Sequence, residues 1–293
     1  MDVYRTPDDR FVDLVGWDFA PNYFDYQGLR VHYIDEGDPS APPVVMLHGD
    51  PTWGYLFRHF IGPLVDAGYR VIAHDHVGFG RSDKPTDRSA YTYALHSAVL
   101  AHLMDHLGVS GATIVGHDWG GIMGMEWAGD HVDRVQRLVL MSTNILIPPL
   151  PPGITAYQAY AVRHPDLPIG SIIGGGTYLE VPPAVQAGYE APFPTAMSKA
   201  GAVQFAQLLP SDPDSPEAAA LARIRDLMSV WTKPTIAFFS VKDPVFPYPE
   251  SGEALTALIP ALDEPIILDG CSHFMQEERS EVIVGRLLDW MTS

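Results

Sequence analysis

Asp118, Asp243 and His273 are residues whose types and spacing could carry out a two-step displacement. Asp118 lies in the segment GHDWGG, residues 116–121, between the apolar run ATIV and a helix-like stretch. The segment fits the turn G-x-S-x-G, in which a strand passes sharply into a helix and presents a nucleophile, except that aspartate replaces serine. A carboxylate gains nothing by attacking an ester, because the product is an anhydride. Against an sp³ carbon that carries a leaving group, it forms an enzyme ester that water can hydrolyse.

Hydrolysis of that ester needs a base for the water and an acid that orients the base. Asp243, in SVKDPVF, and His273, in DGCSHF, each follow a predicted strand and are therefore expected at the carboxyl edge of a sheet. The chain order nucleophile, acid, histidine is the order expected with this type of turn. We predict that His273 is the general base and Asp243 its orienting acid, with Asp269 as the weaker alternative.

Two backbone N–H groups near Asp118 are expected to form an oxyanion hole. One belongs to Asp50 in HGDPTW, residues 48–53, which follows the apolar run VVML, and the other belongs to Trp119. The Asp50 side chain either positions the hydrolytic water or is simply solvated. The indole of Trp119 has one N–H donor and no acceptor, which suits a departing halide, although packing of the turn is an equal alternative. The peptide bond before Pro51 is a candidate for the cis form.

Six short apolar runs must position these residues. They are residues 44–47, 70–74, 112–115, 137–141, 235–239 and 265–269. Continuous apolar strands separated by helical segments are typical of a parallel sheet covered on both faces, so the runs predict a mostly parallel, doubly wound α/β sheet. Residues 23–37 predict an antiparallel hairpin at its start, and residues 93–107 predict an amphipathic helix.

The alternation of strands and helices is interrupted between residues 145 and 229. This segment contains 13 of the 27 prolines and none of the six tryptophans, and its short patterns are helical. We therefore predict a core formed by residues 1–144 and 230–293, with residues 145–229 as an inserted helical cap. A cap above the carboxyl ends of parallel strands would close the crevice in which such sheets bind ligands.

Composition narrows the range of partners. A formal charge of −18 disfavours nucleic acid and anionic membrane surfaces, because both require an excess of Lys and Arg. There is no run of 18 apolar residues and no signal-peptide pattern, and the single Cys271 suits a reducing compartment, so we expect a cytoplasmic protein. We expect a monomer or weak homo-oligomer and no metal or organic cofactor. Four histidines whose spacing fits no zinc pattern are His48, His74, His76 and His117.

Five phrases of the sequence resemble those of haloalkane dehalogenases: HGDPTW, GFGRSDKP (78–85), GHDWGG, PDLPIG (165–170) and YEAPFP (189–194). The resemblance extends over nearly the whole chain. It implies the α/β-hydrolase fold and the hydrolysis of a small apolar halogenated substrate to alcohol, halide ion and a proton, through an alkyl ester of the aspartate. The matching positions are the nucleophile Asp118, the base His273, the acid Asp243, the halide donor Trp119 and the oxyanion-hole residue Asp50.

One departure from that family concerns the cap. Members whose acid follows the seventh strand usually supply a second halide-binding tryptophan from the cap, and its counterpart in AYQAYAVRHPDLPIG is Tyr157, whose phenol can still donate to halide. YQAY also resembles the cap phrase of epoxide hydrolases, in which tyrosine protonates the opening ring. Those enzymes use a second cap tyrosine, where this chain offers Phe205, so epoxide hydrolysis remains the alternative. Fluoroacid dehalogenation is disfavoured, because Trp119 stands where a carboxylate-binding arginine would be expected.

Overall fold

The computed structural model describes residues 2–292 and contains a large mixed sheet. The strands in this part of the chain are β1 (Val3–Tyr4), β2 (Asn22–Tyr26), β3 (Leu29–Glu36), β4 (Pro43–Leu47), β5 (Arg70–His74), β6 (Lys84–Pro85), β7 (Ala112–His117), β8 (Val135–Met141), β9 (Thr235–Phe239) and β10 (Ile266–Ile267). β1 and β6 form a small antiparallel pair, and the others form one sheet in the order β10-β9-β8-β7-β4-β5-β3-β2.

The sheet has the predicted α/β architecture. The pairs from β10 to β5 are parallel, whereas β3 pairs antiparallel with both β5 and β2, which confirms the predicted hairpin. Every residue of β7 is buried, because helices cover both faces, as its unbroken apolar run predicted. The strand predicted at residues 265–269 is shorter in the structure, where only the two residues of β10 are extended.

Helices cover the sheet and follow most of its strands. Over residues 2–292 the α-helices are α1 (Arg58–Asp66), α2 (Tyr93–His106), α3 (Trp119–Asp130), α4 (Pro152–Arg163), α5 (Ile169–Gly175), α6 (Pro183–Glu190), α7 (Ala200–Phe205), α8 (Pro216–Ser229), α9 (Glu250–Leu258) and α10 (Met275–Thr292), and short 3-10 helices lie before and between them. α2 is the predicted amphipathic helix: Thr92 caps its N-terminus by accepting from Leu95 N at 3.1 Å, and Val99 and Leu103 are buried. Within the described residues, no helix combines the length and apolar character that crossing a membrane requires.

The segment between β8 and β9 is helical, and its helices have two different surroundings. α4 supplies Tyr157 to a cavity beside the sheet. α8 packs instead on α3 of the core, where a Cβ atom on Gly129 would lie 2.8 Å from the Cβ of Leu227. The division into core, 1–144 and 230–293, and cap, 145–229, therefore stays a prediction whose second boundary falls at the end of α8.

Candidate active site

The turn between β7 and α3 presents Asp118 at the carboxyl edge of the sheet. Its backbone has φ 53° and ψ −124°, which L residues rarely adopt. Glycines make so tight a turn possible: a Cβ atom on Gly116 would lie 2.5 Å from the Cα of Gly121, and one on Gly120 would lie 2.0 Å from the carbonyl oxygen of Leu47. The motif therefore fixes the position of the carboxylate through close backbone packing.

The Asp118 carboxylate is buried and receives backbone N–H groups from both predicted donors. Asp50 N donates to Asp118 Oδ1 at 2.9 Å, and the Trp119 N–H contacts the same carboxylate. Gly49 permits this approach, since a Cβ atom there would lie 2.2 Å from Asp118 Oδ1. Burial raises the pKa of Asp118, while His273 and the two N–H groups act in the opposite direction. The carboxylate thus lies in an environment that has already removed most of its water.

His273 and Asp243 lie beside Asp118, as their positions after β10 and β9 predicted. His273 Nδ1 is 3.1 Å from Asp243 Oδ2, and His273 Nε2 is 3.9 Å from Asp118 Oδ2. Asp243 Oδ1 also accepts from the N–H groups of Val245 and Phe246, at 2.7 and 3.1 Å. Against the effect of burial, the charge of His273 and these hydrogen bonds lower the pKa of Asp243 to about 2. Burial lowers the pKa of His273, but Asp243 outweighs this and raises it above the ordinary value.

The alternative orienting acid, Asp269, is placed differently. The contact that it makes is through its backbone oxygen, which accepts from Arg279 Nε at 2.8 Å. The imidazole bond of His273 goes to Asp243. The geometry therefore favours Asp243, which leaves Nε2 of the histidine facing the nucleophile position.

These side chains open into a mostly apolar cavity of about 250 Å³. Its polar lining residues are Asp50, Asp118, Trp119, Tyr157 and His273. The apolar part of the wall includes Pro51, Ile154, Ile172, Ala206, Leu209, Pro244, Val245 and Phe274. A small apolar cavity with a few convergent polar groups is typical of a small-molecule site. The chemistry available there is attack by a buried carboxylate on an apolar substrate.

Trp119 and Tyr157, the predicted halide donors, line the same cavity. The Trp119 ring packs edge-on against Phe205, with centroids 5.5 Å apart, so the tryptophan serves as packing and wall together. Phe205 is fully buried behind it and takes no part in the lining. Tyr157 donates its hydroxyl to Asp50 Oδ2 at 3.3 Å. Sequence reasoning missed this contact between the cap tyrosine and the loop after β4.

The loop after β4 also shows a cis peptide bond between Asp50 and Pro51, as expected from the sequence. Asp50 is buried, with 8% of its surface exposed, so its side chain is not simply solvated. Burial and the neighbouring Asp118 charge raise the pKa of Asp50 well above the ordinary value. The loop therefore brings a second carboxyl group into the cavity.

Histidines at the ends of β4 and β5 lie behind the cavity. His76 Nε2 contacts the carbonyl oxygen of His48 at 2.9 Å, and burial lowers the pKa of His48 to about 4. His117 Nε2 contacts the carbonyl oxygen of His273 at 3.0 Å. Over residues 2–292, no group of three or more His, Cys, Asp or Glu side chains is arranged to hold a metal ion. These histidines pack the carboxyl ends of the strands and support the loop that carries His273.

Glu278, which no motif singled out, connects the cap segment to the loop that carries His273. Its Oε1 accepts from the N–H groups of Tyr178 and Leu179, at 2.7 and 2.5 Å, and its Oε2 accepts from Ser272 N at 2.7 Å. The backbone donors lie about a hundred positions away in the chain on the cap side, so local sequence carries no signal for the contact.

The sheet, the turn at Asp118 and the later acid and histidine together define an α/β hydrolase with aspartate at the nucleophile position. A family model described as alpha/beta hydrolase fold matches residues 42–170. The chain is 42% identical to a haloalkane dehalogenase of Mycobacterium marinum, over 99% of this chain and 100% of the relative. It is also 35% identical to the cis-3-alkyl-4-alkyloxetan-2-one decarboxylase of Xanthomonas campestris, over 92% of this chain and 95% of that one.

Among solved structures, the tetrameric haloalkane dehalogenase DpaA from Paraglaciecola agarilytica NO2 matches with a TM-score of 0.92. The two chains are 33% identical, and the match covers 98% of this chain and 97% of the other. The chain belongs to the haloalkane dehalogenase family of the α/β-hydrolase fold, as its sequence motifs predicted.

Proposed function

We propose that this protein hydrolyses small haloalkanes to an alcohol, a halide ion and a proton, through an alkyl ester of Asp118. The observation that carries the proposal is the buried Asp118 carboxylate at the wall of a mostly apolar cavity, beside Trp119 and His273. Relatives named haloalkane dehalogenases over their full length support the same reaction.

In the first step, an oxygen of Asp118 displaces halide from carbon. Asp118 Oδ1 accepts the Asp50 N–H, so Oδ2 is the oxygen with greater freedom to attack. No proton moves in this step, because carboxylate replaces halide directly. Burial assists the attack, since the carboxylate exchanges a hydration shell for two fixed N–H donors.

In the second step, water attacks the ester carbonyl carbon of Asp118 while His273 Nε2 takes its proton. The N–H groups of Asp50 and Trp119 stabilise the resulting oxyanion, and Asp243 stabilises the imidazolium. Collapse of the tetrahedral intermediate then releases the alcohol and restores the Asp118 carboxylate. The elevated pKa of His273 suits a base that must hold this proton until the alcohol departs.

Halide binding divides between a core donor and a cap donor. Trp119 presents an indole N–H at the cavity wall, a donor that carries no competing acceptor. Tyr157 would be the second donor, and to act so it must turn its single hydroxyl proton away from Asp50. The cap would therefore contribute less to halide binding than Trp119.

The proposal also includes the role of the cap, the oligomeric state and the location in the cell. Residues 145–229 act as the cap that closes the cavity and selects substrates by size. A monomer or weak homo-oligomer and a cytoplasmic location are retained as proposals, although the Paraglaciecola relative is described as tetrameric. Size-exclusion chromatography with light scattering tests the first of these directly.

The test of the function is release of bromide from 1-bromobutane and 1,2-dibromoethane, measured together with the alcohol. One halide ion should appear per alcohol formed and per proton released. Because a relative at 35% identity is an oxetanone decarboxylase, bromide itself must be measured. A folded protein that releases no bromide from either substrate contradicts the proposal.

A further inference from the structure

Two carboxyl groups line the same cavity, and both residues are more than nine-tenths buried. Asp50 is 8% exposed and Asp118 is 7% exposed, and the backbone of the first binds the side chain of the second. Two carboxylates that share one dehydrated site cannot both be ionised without a large repulsion, so one of them holds a proton. The surroundings of the two residues therefore decide which one is the neutral acid and which one is the carboxylate.

The contacts show which residue is ionised. Asp118 receives two backbone N–H groups, lies at the N-terminus of the twelve-residue helix α3 and faces His273, all of which favour a negative charge. Asp50 receives only the Tyr157 hydroxyl, at 3.3 Å. Its pKa is raised well above the ordinary value by burial and by the Asp118 charge. Asp118 is thus the carboxylate, and Asp50 the neutral acid.

The hydrogen-bond pattern leaves one oxygen of the Asp50 carboxyl group buried and without a partner. Asp50 Oδ2 accepts from Tyr157, whereas the buried Oδ1 has no hydrogen-bond partner among residues 2–292. A carboxylic acid protonated on Oδ1 therefore carries an O–H group that no described protein atom accepts. Since Asp50 lines the cavity beside Asp118, a substrate bound for attack by Asp118 lies within the same enclosure.

We propose that Asp50 is a catalytic proton donor to a leaving oxygen atom, with Tyr157 as its positioning residue, and that this site also hydrolyses small apolar epoxides to diols. The inference rests on the proposed function in one respect, the use of Asp118 and His273 for the covalent cycle. It differs from a tyrosine-based mechanism, because the proton comes from the loop after β4. A second cap tyrosine is then unnecessary.

The reaction balances without any co-reactant except water. An oxygen of Asp118 bonds to an epoxide carbon, the C–O bond breaks, and its electron pair remains on oxygen, which takes the proton of Asp50. The products are a hydroxyalkyl ester of Asp118 and an Asp50 carboxylate. Water then attacks the ester carbonyl while His273 takes its proton, and the diol leaves. Transfer of this proton from His273 to Asp50 through solvent restores the starting state.

Halide and epoxide substrates place different demands on Asp50. Bromide is a stable anion that needs no proton, whereas an alkoxide is strongly basic and leaves slowly without one. Positioned general acids contribute about a hundredfold or more to such steps. Tyr157 is a poor candidate for that acid, because burial raises the pKa of its phenol well above the ordinary value.

The test compares 1-bromobutane with 1,2-epoxybutane, which share a four-carbon chain, in wild type, Asp50→Asn and Tyr157→Phe. Wild type should form butanediol from the epoxide. Asp50→Asn, which keeps the shape and the backbone N–H, should lower the ratio of epoxide to bromide turnover by about a hundredfold or more. Tyr157→Phe should lower diol formation by a smaller factor than Asp50→Asn does, since the acid remains.

The pH profile gives a readout that loss of folding would not produce. Epoxide turnover in wild type should fall as pH rises through the elevated pKa of Asp50, because only the neutral acid donates, whereas bromide release should lack this fall. Bromide release without any diol, or a ratio unchanged in Asp50→Asn, overturns the proposal and leaves the haloalkane reaction standing. A larger loss of diol in Tyr157→Phe than in Asp50→Asn assigns the proton to tyrosine and also overturns it. If the folded enzyme turns over neither 1-bromobutane nor 1,2-epoxybutane, the proposed function itself is contradicted.

Discussion

The two walls of the cavity are built in different ways. On the sheet side, Asp118 directly follows β7, and Asp243 and His273 lie in the loops after β9 and β10. Backbone N–H groups hold both carboxylates, and His273 is bound to Asp243. On the cap side, Tyr157 lies on α4 and reaches the core through one hydrogen bond of 3.3 Å. We therefore expect the sheet side to provide the geometry for bond-making, and the cap side to provide adjustable surroundings for the leaving group.

At a second place, remote from Tyr157, the cap is nevertheless firmly anchored to the core. Arg58 on α1 donates from both terminal nitrogens to Glu277 on α10, at 2.5 and 2.6 Å, and Tyr189 on α6 donates its hydroxyl to the same carboxylate. The side chains of Arg58 and Glu277 are buried together with Tyr189, and a two-bond guanidinium–carboxylate pair is geometrically restrictive. This asymmetry leads us to expect large effects from substitutions in the sheet wall and graded effects from those in the cap wall.

Replacing Asp118 with alanine should give the largest effect. No other carboxylate stands at the turn, so turnover of 1-bromobutane should fall below about 1% of wild type, consistent with losses of a nucleophile elsewhere. The matched control is Asp289→Ala, at an exposed carboxylate on α10. Activity above that level would mean that another residue is the nucleophile, with Asp50 as the first candidate. The functional contrast between the two walls would then be lost.

Replacing His273 with glutamine should separate the two steps within the sheet wall. Displacement needs no proton transfer, whereas ester hydrolysis does, so a burst of about one halide per enzyme should precede stalling. Intact-protein mass spectrometry should detect a stable increase equal to the alkyl group. Steady turnover without an adduct would mean that His273 is not the base of a covalent mechanism.

Tyr157 tests the cap wall with a smaller expected effect. Removing a donor from a developing anion in a dry site costs about 2–4 kcal/mol, and Tyr157 shares its proton with Asp50, so Tyr157→Phe should reduce bromide release by about ten- to a hundredfold. Tyr157→Trp should retain or improve bromide release, because indole is a donor without acceptor lone pairs. If neither variant changes bromide release, the tyrosine only packs in the cap and the second donor lies elsewhere in residues 145–229.

The contrast between the walls also explains what the sequence could predict. GHDWGG determines its own turn, and the positions of Asp243 and His273 follow from the strands before them, because the carboxyl ends of parallel strands share one edge. The bond from Tyr157 to Asp50 joins residues 107 positions apart and depends on how α4 sits above the sheet. The contacts of Glu278 with Tyr178 and Leu179 are equally remote, and their donors are backbone atoms that nearly any residue carries. Periodicity and motif spacing therefore cannot predict such contacts.

Substitution of Glu278 therefore tests, with the smallest expected effect, whether the cap wall influences the position of His273 in the sheet wall. Its carboxylate joins the N–H groups of Tyr178 and Leu179, on the cap side, to the N–H group of Ser272, which precedes the proposed base His273. Hydrogen bonds to a charged group are worth about 1.5–3 kcal/mol each, so their loss is large enough to move the loop. We expect Glu278→Ala to slow ester hydrolysis more than alkylation.

The expected result is a fall in steady-state turnover of about three- to tenfold, smaller than for Tyr157→Phe, because the His273–Asp243 bond remains in place. Stopped-flow measurement should show a partial halide burst that wild type lacks, since alkylation by Asp118 continues while the displaced base acts more slowly. Glu281→Ala, at an exposed position on the same helix, is the matched control and should behave as wild type. A lower melting temperature with an unchanged ratio of burst to steady state would show that Glu278 only fastens the cap to the core. A selective burst would show instead that the cap segment at 178–179 helps to hold the base in position.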